Sequence, residues 1–174
     1  MLLEKLNKSY SYSSLQINLP FDFSQIVFDW CDKHIEKQTI FNNEDNEYGI
    51  EDECHITVLY GINEEYPYIT KSILQNFKPF NIELGYISKF YSDEYDVLKI
   101  DVKSETLENL HYSLEDGLSN DNSYPEYLPH LTLSYVLKNT NDQFVGLYPF
   151  KKKFLVNSLC FCYANKSKHT LRLK

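Results

Sequence analysis

The chain has 174 residues, 43% hydrophobic and 16% aromatic, with 25 acidic against 17 basic residues and a formal charge of -8. That balance excludes a disordered polyelectrolyte and predicts one compact domain over residues 1–174. It also repels long polyanions, so no long nucleic acid is expected as a partner.

No apolar run approaches the ~18 residues that span a bilayer. The start, MLLEKLNKSY, carries charge where a signal peptide needs apolar residues. We therefore expect a cytoplasmic protein with no membrane attachment and no obligatory protein partner. Cys31, Cys54, Cys160 and Cys162 form neither a CxxC pair nor a secreted framework, which favours reduced thiols and offers no metal site. Only one basic residue, Arg172, is an arginine, so bidentate arginine clamps on phosphate are nearly unavailable. Lys151 to Lys153 read as solvated residues at the start of a strand.

In chain order, SSLQINLP alternates as a strand, and FDFSQIVFDWCDKHIEKQ has helical periodicity with Asp22 or Ser24 as candidate cap. A polar loop, FNNEDNEYGIEDE, delivers HITVLYG, an apolar β-branched strand. NEEYPYITKSILQNF reads as a helix with Pro67 near its first turn, before the strands FNIELGYISKFYS and YDVLKIDVK. A helix in SETLENLHYSLEDGLS leads through NDNSYPEYLP to the strand HLTLSYV, a short helix near NDQFVGLY, and two last strands, FLVNSLCFCYAN and HTLRLK. The two halves share one order: strand, helix, loop, strand beginning with His, short helix, strand, strand. HITVLY and HLTLSY also share His, aliphatic, Thr, aliphatic, any residue, Tyr, so the order and the motif together indicate a duplication.

In a strand, residues i and i+2 share a face. His55 and Thr57 therefore point one way while Ile56 and Val58 point to the core. The same holds for His130 and Thr132 against Leu131 and Leu133. If a pseudo-twofold axis relates the halves, the two strands lie side by side and bring two imidazoles and two hydroxyls to one cleft. In-line displacement at phosphorus needs a base for the attacking oxygen and an acid for the leaving one, and two histidines supply both near neutral pH. The hydroxyls can hold the non-bridging oxygens. His-x-Thr is not a metal-ligand spacing, so neither metal nor other cofactor is expected. His34, His111 and His169 lack a partnered threonine and read as structural. Cys54 beside His55 points to the opposite face, which argues against a Cys-His dyad.

This pair of motifs, HIT at 55–57 and HLT at 130–132 in a duplicated element order, resembles the 2H phosphoesterase superfamily of LigT-like proteins. The resemblance implies a bilobal α+β fold of duplicated units about a pseudo-twofold axis, with His55, Thr57, His130 and Thr132 lining a central cleft. It implies metal-independent phosphodiester cleavage without saying which histidine is acid and which is base. SYSSLQINLP, EYGIEDECHITVLYG and YLPHLTLSYV look most like phage anti-CBASS phosphodiesterases, which destroy cyclic di- and trinucleotide signals. That implies a cyclic oligonucleotide substrate with 3',5' bonds, and an alternative remains in an RNA-processing 2',3'-cyclic or 2',5' phosphodiesterase or a non-cleaving sponge. By the same resemblance Tyr12, or Tyr10, stacks on a base, and a second aromatic falls among Tyr86, Phe90 and Tyr91. The family also uses an acidic residue in the C-terminal strands, whereas this chain has none after Asp142; Asn157 is a polar candidate there.

Overall fold

A computed structural model describes residues 12–42 and 48–174. Its strands are β1 (Ser13–Asn18), β2 (His55–Ile62), β3 (Phe80–Tyr91), β4 (Tyr95–Lys103), β5 (His130–Leu137), β6 (Lys153–Val156), β7 (Ser158–Cys162) and β8 (Lys168–Arg172). The helices are α1 (Phe21–His34), α2 (Tyr68–Leu74) and α3 (Glu105–Gly117). They form the expected α+β architecture: two antiparallel sheets, ordered β2-β1-β7-β8 and β5-β4-β3-β6. No helix among the described residues is long and apolar enough to cross a membrane.

Several boundaries differ from the sequence reading. Neither Asp22 nor Ser24 caps α1, because Pro20 is the N-cap with φ -56° and Asp22 already lies in the first turn. Ser24 is buried and its Oγ donates to the Pro20 carbonyl at 3.1 Å. A proline already locked near helical φ starts the helix without a side-chain cap. The short helix near NDQFVGLY is a 3-10 turn at Asp142–Phe144. FLVNSLCFCYAN is two strands, with Asn157 exposed at the break. β6 pairs with β3 in the second sheet and β7 with β1 in the first. One apolar stretch thus serves both sheets, which no single-strand periodicity reveals.

The halves exchange elements. β1 and β2 belong to the first sheet, but α1 packs against β5 and β3 sits in the second sheet. Conversely, α3 packs against β2 and β7 sits beside β1. Phe23 of α1 stacks edge-on with Phe150 and Phe154, and Trp30 with Phe144. The buried residues of both sheets and both long helices join one hydrophobic cluster.

Each histidine strand carries a β-bulge at the same place. Leu15 faces Leu59 and Gln16 faces Thr57, which makes Val58 the extra residue. Leu98 faces Ser134 and Lys99 faces Thr132, which makes Leu133 the extra residue. Val58 and Leu59 are consequently both buried, as are Leu133 and Ser134, which strict alternation forbids. Carbonyls freed by the first bulge take side-chain donors: Tyr127 Oη donates to Thr57 O at 2.9 Å and His111 Nδ1 to Val58 O at 2.6 Å. The two rings stack on one another at 3.9 Å and 5°. At the second bulge the helix side chain is Cys31, whose Sγ lies 4.0 Å from Leu133 O.

The loop that carries Tyr127 is seated on β2 at Gly61, whose carbonyl accepts from Asp121 N at 2.8 Å. Gly61 has φ +76°, and a Cβ there would lie 3.0 Å from the Asp121 backbone. Both the left-handed conformation and the close approach require glycine. A Tyr127→Phe variant keeps the ring and its stack but orphans Thr57 O. Urea denaturation should show a loss of about 1–3 kcal/mol, and an unchanged midpoint would mean that water already satisfies that carbonyl.

Candidate active site

β2 and β5 are the edge strands of different sheets and lie against each other without pairing. The two strands thus lie side by side across the boundary between the sheets, which brings the two motifs together. His55, Thr57, His130 and Thr132 are all half-buried, while Ile56, Val58, Leu131 and Leu133 are at most 1% exposed. The alternation read from HITV and HLTL therefore holds up to each bulge.

The two imidazoles are oriented by one device used twice. His55 Nδ1 lies 3.0 Å from the carbonyl of Glu53, two residues back, and His130 Nδ1 lies 2.7 Å from that of Leu128. A carbonyl only accepts, so each Nδ1 carries the proton and each Nε2 is the reactive nitrogen in the neutral ring. Neither threonine side chain has a hydrogen-bond partner among the described residues, and both are half-buried.

Burial lowers the pKa of His130, with the charges of Lys99 and His55 acting in the same direction; the bond to Leu128 and the Asp101 carboxylate oppose them. The charge of His55 reaches His130 across the contact of β2 with β5. Cys54 is buried on the core side, and burial pushes its thiol up to about 11, as expected of a residue outside the cleft.

The strands beside the histidines supply polar groups that the sequence reading did not single out. Pairing places Asn18 opposite His55 and Gln16 opposite Thr57. It places Asp101 opposite His130 and Lys99 opposite Thr132. Lys99 Nζ donates to Asp101 Oδ1 at 2.6 Å and Ser88 Oγ at 2.7 Å, and lies 4.2 Å from the centre of the Phe90 ring. Ser88 Oγ also donates to Asp101 Oδ1 at 2.6 Å. Burial works to raise the Asp101 pKa, but the bonds from Lys99 and Ser88 and the lysine charge outweigh it and hold the group below the usual carboxylate range. A signal for this pair existed: Lys and Asp two apart in LKIDV must share a face of an otherwise apolar strand.

In the first half the acid is Glu53. Its carboxylate accepts from Asn18 Nδ2 at 3.1 Å, Gln16 Nε2 at 3.5 Å and Lys168 Nζ at 2.5 Å. Lys168 belongs to β8, so an acidic side chain does reach the C-terminal strands, from the loop before β2. Asn157 lies at the sheet break, where its Oδ1 accepts from Ser158.

The aromatic candidates separate. Phe90 meets His130 edge-on at 4.8 Å with Lys99 over its face, so it forms a wall of the histidine site. Tyr86 is half-exposed and packs on Tyr148 at 5.1 Å, and Tyr91 is 70% exposed. Tyr12 meets Tyr60 edge-on at 6.5 Å, and the Asp121 carboxylate that takes its hydroxyl bond pushes the phenol up. Tyr12 precedes Asn18 by six positions, about 20 Å of extended chain. Tyr10 lies outside the described residues. In the second half Tyr135, five residues after His130 as Tyr60 is after His55, meets Tyr95 edge-on at 5.5 Å. Of the remaining histidines, His34 and His169 are exposed, whereas His111 is the buried support of the β2 bulge.

No curated protein matches the sequence significantly. Among solved structures, the fold is similar to that of TT0787 of Thermus thermophilus, with TM-score 0.63 and 14% identity over 93% of this chain and 94% of that one. It is also similar to E. coli LigT complexed with 3'-AMP, with TM-score 0.60 and 14% identity over 94% of each chain. Kluyveromyces marxianus Usb1 with uridine monophosphate gives TM-score 0.57 and 14% identity over 95% of this chain and 99% of that one. Residues 50–167, a span holding both histidine strands and the loop that braces the first, match the family model of the 2'-5' RNA ligase superfamily, and the chain belongs to that superfamily.

Proposed function

We propose that the protein is a metal-independent phosphodiesterase that opens the 3',5' bonds of cyclic di- and trinucleotide signals, a counter-defence (anti-CBASS) enzyme if phage-encoded. The observation that carries the reading is the repeated device at the cleft: His and Thr on one strand face, Nδ1 tied to the carbonyl two residues back, and a bulge immediately after. Where a 2'-hydroxyl adjoins the scissile bond, the neutral histidine takes its proton as the O2'–P bond forms. The charged histidine protonates the leaving 5'-oxygen as P–O5' breaks. Water then opens the 2',3'-cyclic end with the roles reversed. Thr57 and Thr132 donate to the non-bridging oxygens, where negative charge is held through the displacement.

The distance from the histidines to Tyr12 and Tyr60 supports a substrate of more than one nucleotide, since a base on the reacting nucleotide alone does not span about 20 Å of strand. Stacking at such a platform is worth roughly 1–3 kcal/mol and tolerates different bases. A cyclic oligonucleotide supplies that second base without the long polyanion that a charge of -8 repels. A second reading, a 2',3'-cyclic or 2',5' phosphodiesterase acting on RNA, draws support from the name of the superfamily and from the mononucleotide held by the LigT structure.

A panel of cyclic di- and trinucleotides and 2',3'-cyclic nucleotides, incubated in EDTA, tests both readings. The unmodified protein should cleave at least one cyclic oligonucleotide, and His55→Ala or His130→Ala should lower the rate roughly 10²–10⁴-fold. Thr57→Ala and Thr132→Ala should each cost about 10²-fold in kcat. Cleavage of 2',3'-cyclic nucleotides alone would favour the second reading, and no cleavage of any member would sink the chemistry. A transient product 18 Da below the hydrolysed one marks attack by the 2'-hydroxyl rather than by water. The pH dependence of kcat/KM should be bell-shaped, because one histidine starts neutral and the other charged; a monotonic rise through the histidine range would contradict paired acid and base work.

A further inference from the structure

Each histidine strand leads to a pair of tyrosines set by the same register. Tyr12 precedes Leu15 by three positions and Tyr95 precedes Leu98 by three, and those leucines stand opposite Leu59 and Ser134, the residues just past the two bulges. Tyr60 and Tyr135 come next, five positions after their histidines, where the bulge has returned the strand to its His and Thr face. The pairs meet alike: Tyr12 with Tyr60 edge-on at 6.5 Å and 73°, Tyr95 with Tyr135 edge-on at 5.5 Å and 73°. Their surroundings differ. The Tyr12 hydroxyl donates to the Asp121 carboxylate, Tyr60 is 43% exposed, and among the described residues no further ring lies against this pair. Two more rings cover the second pair. Phe41 rests on Tyr95 at 4.9 Å and 32°, and Tyr48 lies 4.9 Å from Tyr95 and 5.0 Å from Tyr135. All four of these rings are half-buried.

The backbone of Tyr135 fixes the covering rings in place. Its carbonyl accepts from Phe41 N at 2.9 Å, and its N–H donates to Gly49 O, next to Tyr48, at 2.9 Å. Gly49 takes φ +108°, a conformation that favours glycine. Bridges from Ile40 to Val136 and from Ile50 to Ser134 extend the attachment on either side. At β2 the corresponding segment attaches beyond Tyr60, where Asp121 N donates to Gly61 O and Asn63 N to Ser119 O, and so leaves the Tyr60 ring open. We infer that Phe41 and Tyr48 occupy the place of a stacked base on the Tyr95–Tyr135 pair, so that the cleft takes a base at its Tyr12–Tyr60 end alone and admits its substrate in one direction. A phosphodiester has unlike ends, one through O3' and one through O5'. A base site at one end of the cleft therefore also selects which of the two nucleosides flanking the scissile bond lies toward β2. The inference rests on the phosphodiesterase reading for its ligand, whereas the covering of one tyrosine pair and not the other is measurable on the protein alone.

The probes are linear 3',5'-linked dinucleotides without 2'-hydroxyls, either intact or lacking one of the two bases, with binding read by calorimetry on the His55→Ala chain so that none is consumed. Removing the base from one nucleoside should weaken binding roughly 5- to 100-fold, and removing it from the other should change binding less than about twofold. Adding Tyr60→Ala should abolish that difference. Adding Tyr48→Ala, alone or with Phe41→Ala, should uncover the second pair and make both bases count. Equal losses for the two bases while Phe41 and Tyr48 are present overturn the proposal, as does a second base that stays without effect when both rings are gone. Nitration by tetranitromethane with peptide mapping needs no ligand: in the unmodified chain Tyr60 should be labelled well ahead of Tyr95 and Tyr135, and Tyr48→Ala should bring those two forward. Comparable labelling of all three in the unmodified chain also overturns the proposal. Failure of every probe to bind would remove the phosphodiesterase reading and the ligand with it, while the labelling order still reports whether the second pair is covered.

Discussion

A β-strand has two faces, and each histidine strand of this protein needs both at once. Ile56 and Val58 must enter the core while His55 and Thr57 face the cleft, and the same division holds at Leu131, Leu133, His130 and Thr132. Alternation achieves this for four residues only. The bulge that follows then resets the register, burying two successive residues and bending the strand away. The bulge in turn leaves carbonyls without ladder partners, and the cost of orphaned carbonyls explains why α3 and the 118–129 segment are built as they are. His111 and Tyr127 exist in their stacked arrangement because Val58 O and Thr57 O need donors.

Local anchoring and long-range bracing therefore converge on the same few residues. The Nδ1 bond of each histidine depends only on a carbonyl two positions earlier, so it forms wherever the strand begins correctly. The placement of that strand depends on helices and loops far away in the chain. A perturbation at Gly61, well beyond the last catalytic candidate of β2, would be felt at Thr57 through the loop it seats.

Much of this was legible in the sequence. The repeated His-x-Thr on two apolar strands, the faces they share and the order of strands and helices follow from periods of two and 3.6 and from comparing HITVLY with HLTLSY, whereas the α+β class came with the resemblance to LigT-like proteins. What was not legible depends on partners. The bulges at Val58 and Leu133 are visible only against Leu15, Gln16, Leu98 and Lys99; TVL and TLS hint at them only in hindsight. The split of FLVNSLCFCYAN between sheets is a tertiary decision, since both pieces are apolar. The start of α1 turned on Pro20 rather than on the nearer polar residues. The buried salt link of Lys89 with Asp96 and Asp142, 2.5 Å from the latter, joins β3 and β4 to the 3-10 turn across 53 positions of sequence and leaves no local signature.

The traded helices bear on how a duplicated chain of this kind holds together. α1 belongs by sequence to the half containing β2 yet covers β5, and α3 belongs with β5 yet covers β2. A half-length chain standing alone would expose the apolar side of its own histidine strand, with its helix swung out over nothing. Two copies could close only by swapping, each roofing the other, as in a domain-exchanged dimer. The cleft of the present chain lies where such a dimer would have its twofold seam. Once both copies share one polypeptide, each side of the seam can change independently, and an amide pair on one side can face a lysine and an aspartate on the other.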